Sequence, residues 1–344
     1  MSAYLNARVS LFAARLLSPQ QFDELIRCAE ADVATCLAAK GLDYLMPADE
    51  TKESVEQRIG AVLLREIAVL IRPLRDEQRR FLDYWTQRYE ISNLKTLIRG
   101  KLMRQRPALI AASLVDMGDF ARLPVDALLH AEDLPELFRR LMETPYADLA
   151  RIARDTFEEH QDPFMLDAML DKRYHENLVN RAKALEAREG TAFRALMAGL
   201  IDRINLMWLV RYRFSYGLPP AQAYYLLVAS PYQLHAQRLQ QLARQASLAQ
   251  LIEALPETLR RELLTVETPV QLYAALEAAN IALARHTLRS STSALTRALA
   301  YITLRERCLR RVRAVLRGRA LGLDTAAIRH AVALEDQLFE AEVA

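Results

Sequence analysis

Glycine is scarce, at nine residues in 344. The residues that dominate instead are alanine, leucine, arginine and glutamate, which lose little side-chain freedom in a helix, where glycine carries a backbone-entropy cost. No alternating strand pattern persists anywhere, so the expected fold class is all-α. Cysteine is scarce too. Cys28, Cys36 and Cys308 are odd in number and form no CxxC pair, which excludes a disulfide framework and predicts thiols in a reducing compartment. Long apolar runs are missing: no window approaches the roughly 18 residues of a membrane helix, and MSAYLNARVS holds no apolar h-region of a signal peptide. A soluble, cytoplasmic protein is expected. Neither charge sign prevails, with 46 basic and 43 acidic residues, so no whole-protein affinity for nucleic acid or anionic lipid is implied.

Catalytic patterns are absent as well. His175-Glu176 lacks the second histidine of HExxH, and neither a GxxxxGK[ST] phosphate loop nor GxSxG occurs. The histidines at 130, 160, 175, 235, 286 and 330 stand singly. The carboxylate pairs Glu158-Glu159 and Asp167-Asp171 sit among arginines three or four residues away and read as a solvated, salt-bridged face. No catalytic residue, cofactor or metal site is expected.

What is present is a repeat. NLKTLIRGK (Asn93–Lys101) returns as NLMWLVRYR (Asn205–Arg213) and, more diverged, as RVRAVLRGR (Arg311–Arg319). Leu94, Leu97 and Ile98 correspond to Leu206, Leu209 and Val210, then to Val312, Val315 and Leu316, the apolar stripe of a helix. The copies lie 112 and 106 residues apart, too far for a solenoid and suited to a small helical subdomain. Two further matches keep the register: SLAQLIEALPET (Ser247–Thr258) follows DLPELFRRLMET (Asp133–Thr144) at 114, and PAQAYYLLVASP from Pro220 follows PALIAASLVDMG from Pro107 at 113. Three subdomains are expected, at 1–106, 107–218 and 219–344.

Helix signals fit that plan. Ser18-Pro19 caps a helix read as continuous to Gly41; a break follows at Met46-Pro47, and a second helix runs from Ser54 until Pro73 ends it. A third runs from Asp76 through Ile98, ending in the first motif. Asp133 starts a helix that breaks near Pro145, Pro163–Glu189 is long and charged, and Gly190-Thr191 opens the helix that carries the second motif and stops at Gly217. RERCLRRVRAVLRGR (Arg305–Arg319) holds seven arginines. Two readings stay open for it: a surface for nucleic acid or an acidic partner, or a helical stripe whose last arginines offset the macrodipole.

YLNARV (Tyr4–Val9), RYEISNLKTLIRGK (Arg88–Lys101) and LMETPYADL (Leu141–Leu149) together resemble the C subunit of the bacterial and archaeal V-type (V/A-type) ATP synthase, known as the d subunit in eukaryotic V-ATPases. The resemblance covers essentially the whole chain. It departs in the first unit, where Gly41-Leu42-Asp43-Tyr44 keeps only the tyrosine of a TPY-like turn, and in the third, where the turn is missing after Glu257-Thr258. The resemblance implies an all-helical funnel of three similar subdomains around a pseudo-threefold axis, between a central stalk of D and F type subunits and the membrane ring of proteolipids. Such a protein transmits torque for ATP-driven or ATP-forming ion transport without binding nucleotide. It lies at the inner face of the cell membrane and touches it only through the ring.

The basic positions of the repeat, Arg99 and Lys101, Arg211 and Arg213, Arg317 and Arg319, are the candidate partner-binding residues, near a rim or the hollow and facing an acidic surface. The alternative is that each offsets its own helix dipole. Competing functions are a helical-repeat adaptor for an unrelated protein and a nucleic-acid-binding protein using the Arg305–Arg319 helix; an enzyme fits least.

Overall fold

The computed structural model describes residues 2–46, 54–160 and 162–332. Pro47 of the expected break and residues 333–344 of the third subdomain lie outside these. The described residues are built of helices, with no strand among them, as the composition requires. In the first third of the chain come α1 (Ser2–Ala13), α2 (Pro19–Arg27), α3 (Val33–Ala39), α4 (Val55–Ile71) and α5 (Asp76–Leu102). The middle third holds α6 (Pro107–Ala111), α7 (Val125–Leu129), α8 (Leu134–Leu141), α9 (Ala147–His160), α10 (Pro163–Glu189) and α11 (Thr191–Val210). Then follow α12 (Pro220–Tyr225), α13 (Ala236–Ala243), α14 (Leu248–Glu253), α15 (Glu257–Glu262), α16 (Pro269–Ser290), α17 (Ala294–Ala320) and the helical residues 325–332.

Local chemistry sets the starts. Ser18, Ser54 and Thr268 each accept a bond from the backbone of a glutamine three residues on, and that glutamine's side chain returns to the cap, a complete capping box. Asp133 caps α8 through the Glu136 amide, and Ser247, 114 residues later, caps α14 through Gln250 in the same way.

The stretch from Ser18 to Gly41 is not one helix. It splits at Cys28 into α2 and α3, with a short 3₁₀ turn at Glu30–Asp32 between them. The carbonyls of Leu25 and Ile26, which would accept from residues 29 and 30 if the helix continued, instead accept from the Arg319 guanidinium at 3.1 and 2.8 Å. The reading of Asp167 and Asp171 as a solvated face also fails for Asp171. Its carboxylate is buried between α5 and α10, where Lys95 Nζ donates to both oxygens at 2.8 Å. Burial pushes the Asp171 carboxyl up to about 6 against the pull of Lys95. A fixed partner on a neighbouring helix, invisible in the local pattern, is what makes the buried charge tolerable.

The chain packs as two compact units. One holds Ser10–Asp171 with Cys308–Val332, and the other holds Lys172–Arg307 with the described residues before Ser10; the divisions fall inside α1, α10 and α17. In the first unit Phe81, Leu94, Leu97, Phe138 and Val312 are core residues; in the second, Phe193, Leu206, Trp208, Leu209 and Tyr301 are.

The repeated helix ends are packed by exchange of volume. A Cβ on Gly100 would stand 2.5 Å from Ile110 Cγ1, and one on Gly318 would stand 2.9 Å from Ile328 Cγ1, each isoleucine ten residues beyond its glycine. In the middle copy the glycine is Tyr212 and the isoleucine is Ala223, both fully buried. The larger side chain thus moves from one partner to the other. Arg211–Ser215 form a π turn there, which absorbs one extra residue and accounts for the drift of the offset from 112 to 113.

Candidate functional site

The first two motif helices carry the same contacts with the cluster of short helices that follows each, and the third keeps one of them. On α5, Glu90 accepts from the amide of Arg122, from that of Leu123 at 2.7 Å, and from the Tyr146 hydroxyl. One turn on, Asn93 donates to the Val115 carbonyl at 2.7 Å and accepts from the Val115 amide at 2.8 Å. At the helix end Lys101 Nζ donates to the carbonyls of Leu129 and Ala131 at 2.6 and 2.5 Å. The middle copy repeats this. Asp202 accepts from the amides of Gln233 and Leu234, Asn205 takes both backbone groups of Val228, and Arg213 donates to the carbonyls of Ala243 and Gln245 at 2.7 and 3.3 Å. The clamped carbonyls lie 114 residues apart in each case.

In the third copy the polar pair is lost. Cys308 stands in place of the carboxylate, and Arg311 in place of asparagine lies 3.9 Å from the centroid of the Phe22 ring. The clamp survives, because Arg319 holds the carbonyls of Leu25 and Ile26 at the end of α2. The last motif therefore closes on the first cluster of the chain.

The physics is that of orphan helix carbonyls, which need donors and favour a cation. Lys101, Arg213 and Arg319 cap other helices, those ending at Leu129, Ala243 and Arg27, as well as closing their own. Burial pushes Asp202 up to about 6, opposed by the two amides it accepts from. Burial and the neighbouring Glu90 carboxylate hold the Tyr146 phenol far above its ordinary value, so it remains a donor. Replacing Lys101, Arg213 or Arg319 by methionine keeps the apolar stem and is expected to cost about 1.5–3 kcal/mol each, the range for a bond to a charged group. Faster amide exchange confined to the end of α7, α13 or α2 respectively would register it.

Of the six candidate residues, then, three are turned into the fold. The other three behave differently. Arg99 is half exposed and reaches Asp167 at 3.4 Å; Arg211 donates to the Tyr216 hydroxyl at 2.8 Å and lies 5.1 Å from that ring's centroid; Arg317 is exposed. Beside each is an exposed apolar side chain at the helix end: Met103 at 69%, Tyr216 at 46% and Leu321 at 68% exposure. The arginine run is mostly absorbed by packing. Of its seven arginines only Arg317 is exposed, and Arg305 is 1% exposed.

The sequence pattern did not single out Glu90, Asp202, Asn93 and Asn205 as functional positions. The available signal was a carboxylate three residues before the motif asparagine in both copies, EISN and DRIN.

A helical chain with this register throughout matches the family described as ATP synthase (C/AC39) subunit over residues 5–331. It belongs to that family. Among its relatives is the A-type ATP synthase C subunit of Haloquadratum walsbyi, 24% identical over 332 residues, covering 93% of this chain and 94% of the relative. The corresponding A-type protein of Methanocaldococcus jannaschii is 23% identical over 268 residues, covering 76% and 66%. That of Halobacterium salinarum is 23% identical over 334 residues, covering 93% and 94%. In this member of the C/AC39 family, no helix among the described residues is long and apolar enough to cross a membrane. No group of three or more metal-ligating side chains occurs among them either.

Proposed function

We propose that this C/AC39 family member is a non-catalytic coupling subunit of a V/A-type rotary ATPase. It links central-stalk subunits of the D and F type to the membrane proteolipid ring and transmits torque between them, at the inner face of the cell membrane. The observation that carries the reading is the family match across residues 5–331, with relatives named as the C subunit of A-type ATP synthases. The chemistry agrees: buried carboxylates and cations are engaged in clamps and ion pairs that stiffen helix junctions.

The proposal includes three structural repeats, at 1–106, 107–218 and 219–344. It is supported by the recurring clamp and by Arg319 reaching back to α2. Partner contacts are assigned in one unit to Arg99 and Arg317 with the exposed Met103 and Leu321, and in the other to Arg211 with Tyr216, while Lys101, Arg213 and Arg319 fix the helix ends. An acidic partner surface with apolar contacts fits this composition.

Charge reversal of Arg99, Arg211 and Arg317 to glutamate tests the assignment. Like charges juxtaposed across an interface cost several kcal/mol, so association with purified stalk or ring should fall by at least about a hundredfold, at about 1.4 kcal/mol per factor of ten. The melting temperature should move little. Normal assembly with a slightly lower melting temperature would reduce these residues to helix caps.

A further inference from the structure

The end of α5 differs from the ends of the other two motif helices. All three close on a residue with positive φ: Arg104 at 51°, Gly217 at 69° and Gly322 at 68°. The next amide then turns back to the helix, Gln105 to the Gly100 carbonyl at 2.9 Å, Leu218 to Tyr212 at 2.8 Å and Leu323 to Gly318 at 3.0 Å. Glycine adopts this conformation freely, whereas a side chain there crowds the following carbonyl. The first copy thus keeps an arginine where the turn favours glycine, and strain of this kind gathers at functional positions. Two residues on, Arg106 stands where the other copies have Pro219 and Asp324. Between Glu90 and Asp116 the sequence holds five basic residues and no acidic one. Lys95 and Lys101 are committed to Asp171 and to backbone carbonyls, and Arg99 reaches Asp167. Arg104 and Arg106 are exposed and make no ion pair among the described residues.

We propose that the loop 103–109 is a contact site for anionic phospholipid, in which Arg104 and Arg106 pair with lipid phosphates while Met103 and Leu109 enter the headgroup layer. The loop is an unbroken exposed run, with Met103 at 69% and Leu109 at 61% exposure. Such a run projects rather than enclosing a groove, so it fits a broad surface better than a docked helix. Apolar tips set among cations are the composition that an anionic membrane surface retains. The guanidinium fork matches phosphate oxygens in pairs, which a lysine cannot do. This contact is additional to the coupling role and does not depend on it.

The full chain is sedimented with vesicles of phosphatidylcholine alone, or of phosphatidylcholine and phosphatidylglycerol at about three to one, and its melting temperature is measured alongside. It should bind only the mixed vesicles, and less as salt rises. Arg104→Gly should raise the melting temperature, because the strain is relieved, and lower the partition coefficient about fivefold, the share of one basic residue near an anionic surface. Adding Arg106→Ser should bring the loss to about twenty-fivefold. Arg289→Ser, which removes an exposed arginine of α16 outside the loop, should leave partition unchanged. No binding to the mixed vesicles, equal binding to both kinds, or a loss in Arg289→Ser as large as in Arg104→Gly would overturn the proposal. So would an Arg104→Gly chain that melts higher with its partition intact. A chain that ignores the vesicles but loses association with purified stalk or ring in Arg104→Gly would assign the loop to an acidic protein instead.

Discussion

Lys95→Met is expected to destabilise the chain by about 3–5 kcal/mol, the cost of leaving a buried carboxylate without its cation. Asp171 accepts both of its short bonds from Lys95, and both side chains are nearly sealed from water. The second substitution in the cycle, Asp171→Leu in the Lys95→Met background, should restore most of the loss, because two apolar side chains replace a desolvated pair at little net cost. The Arg203–Glu277 pair, which joins α11 to α16, should behave alike. A chain of two compact units need not unfold in a single step. Amide hydrogen exchange along α5 and α10 is thus the better measure, and it should accelerate in Lys95→Met and return towards the parent rate in the double substitution. A double substitution as unstable as the single one would show that the ion pair itself, and not the orphaned charge, holds the helices.

Glu90→Ala comes next in size. It removes one acceptor and strands three donors, the amides of Arg122 and Leu123 and the Tyr146 hydroxyl. Each buried donor left unpaired costs about 1–3 kcal/mol, so a total of about 3 kcal/mol or more is expected from chemical denaturation. Glu90→Gln is the control: its amide oxygen still accepts and its nitrogen can donate to the Tyr146 oxygen, so it should lose less than half as much. Equal losses would mean that the negative charge, rather than the acceptor geometry, matters.

The all-helical fold was legible because it is written in local pattern. The stripe Leu94, Leu97, Ile98 and its two echoes are short-range signals, and the caps at Ser18, Asp133 and Ser247 need only the next three residues. The failures share one cause, a partner distant in sequence. Nothing between Ser18 and Gly41 announces that Arg319 will take the carbonyls of Leu25 and Ile26 and end α2 early. Nothing around Asp171 announces Lys95. The basic residues at the seventh and ninth motif positions look alike in sequence, yet the helical turn between them sends Arg99 outward and Lys101 into the carbonyls of Leu129 and Ala131. Position along the helix separates a residue available to partners from one committed to the fold.

The coupling role is tested most directly by assembling the complex with and without this chain, from the membrane sector and the soluble catalytic sector of its own cells, and measuring ATP-driven ion uptake into vesicles. The expected result is that without the chain the soluble sector still hydrolyses ATP but drives no uptake, and that adding the purified chain restores uptake. Full uptake in its absence, with the soluble sector bound to the membrane as before, would contradict a coupling role.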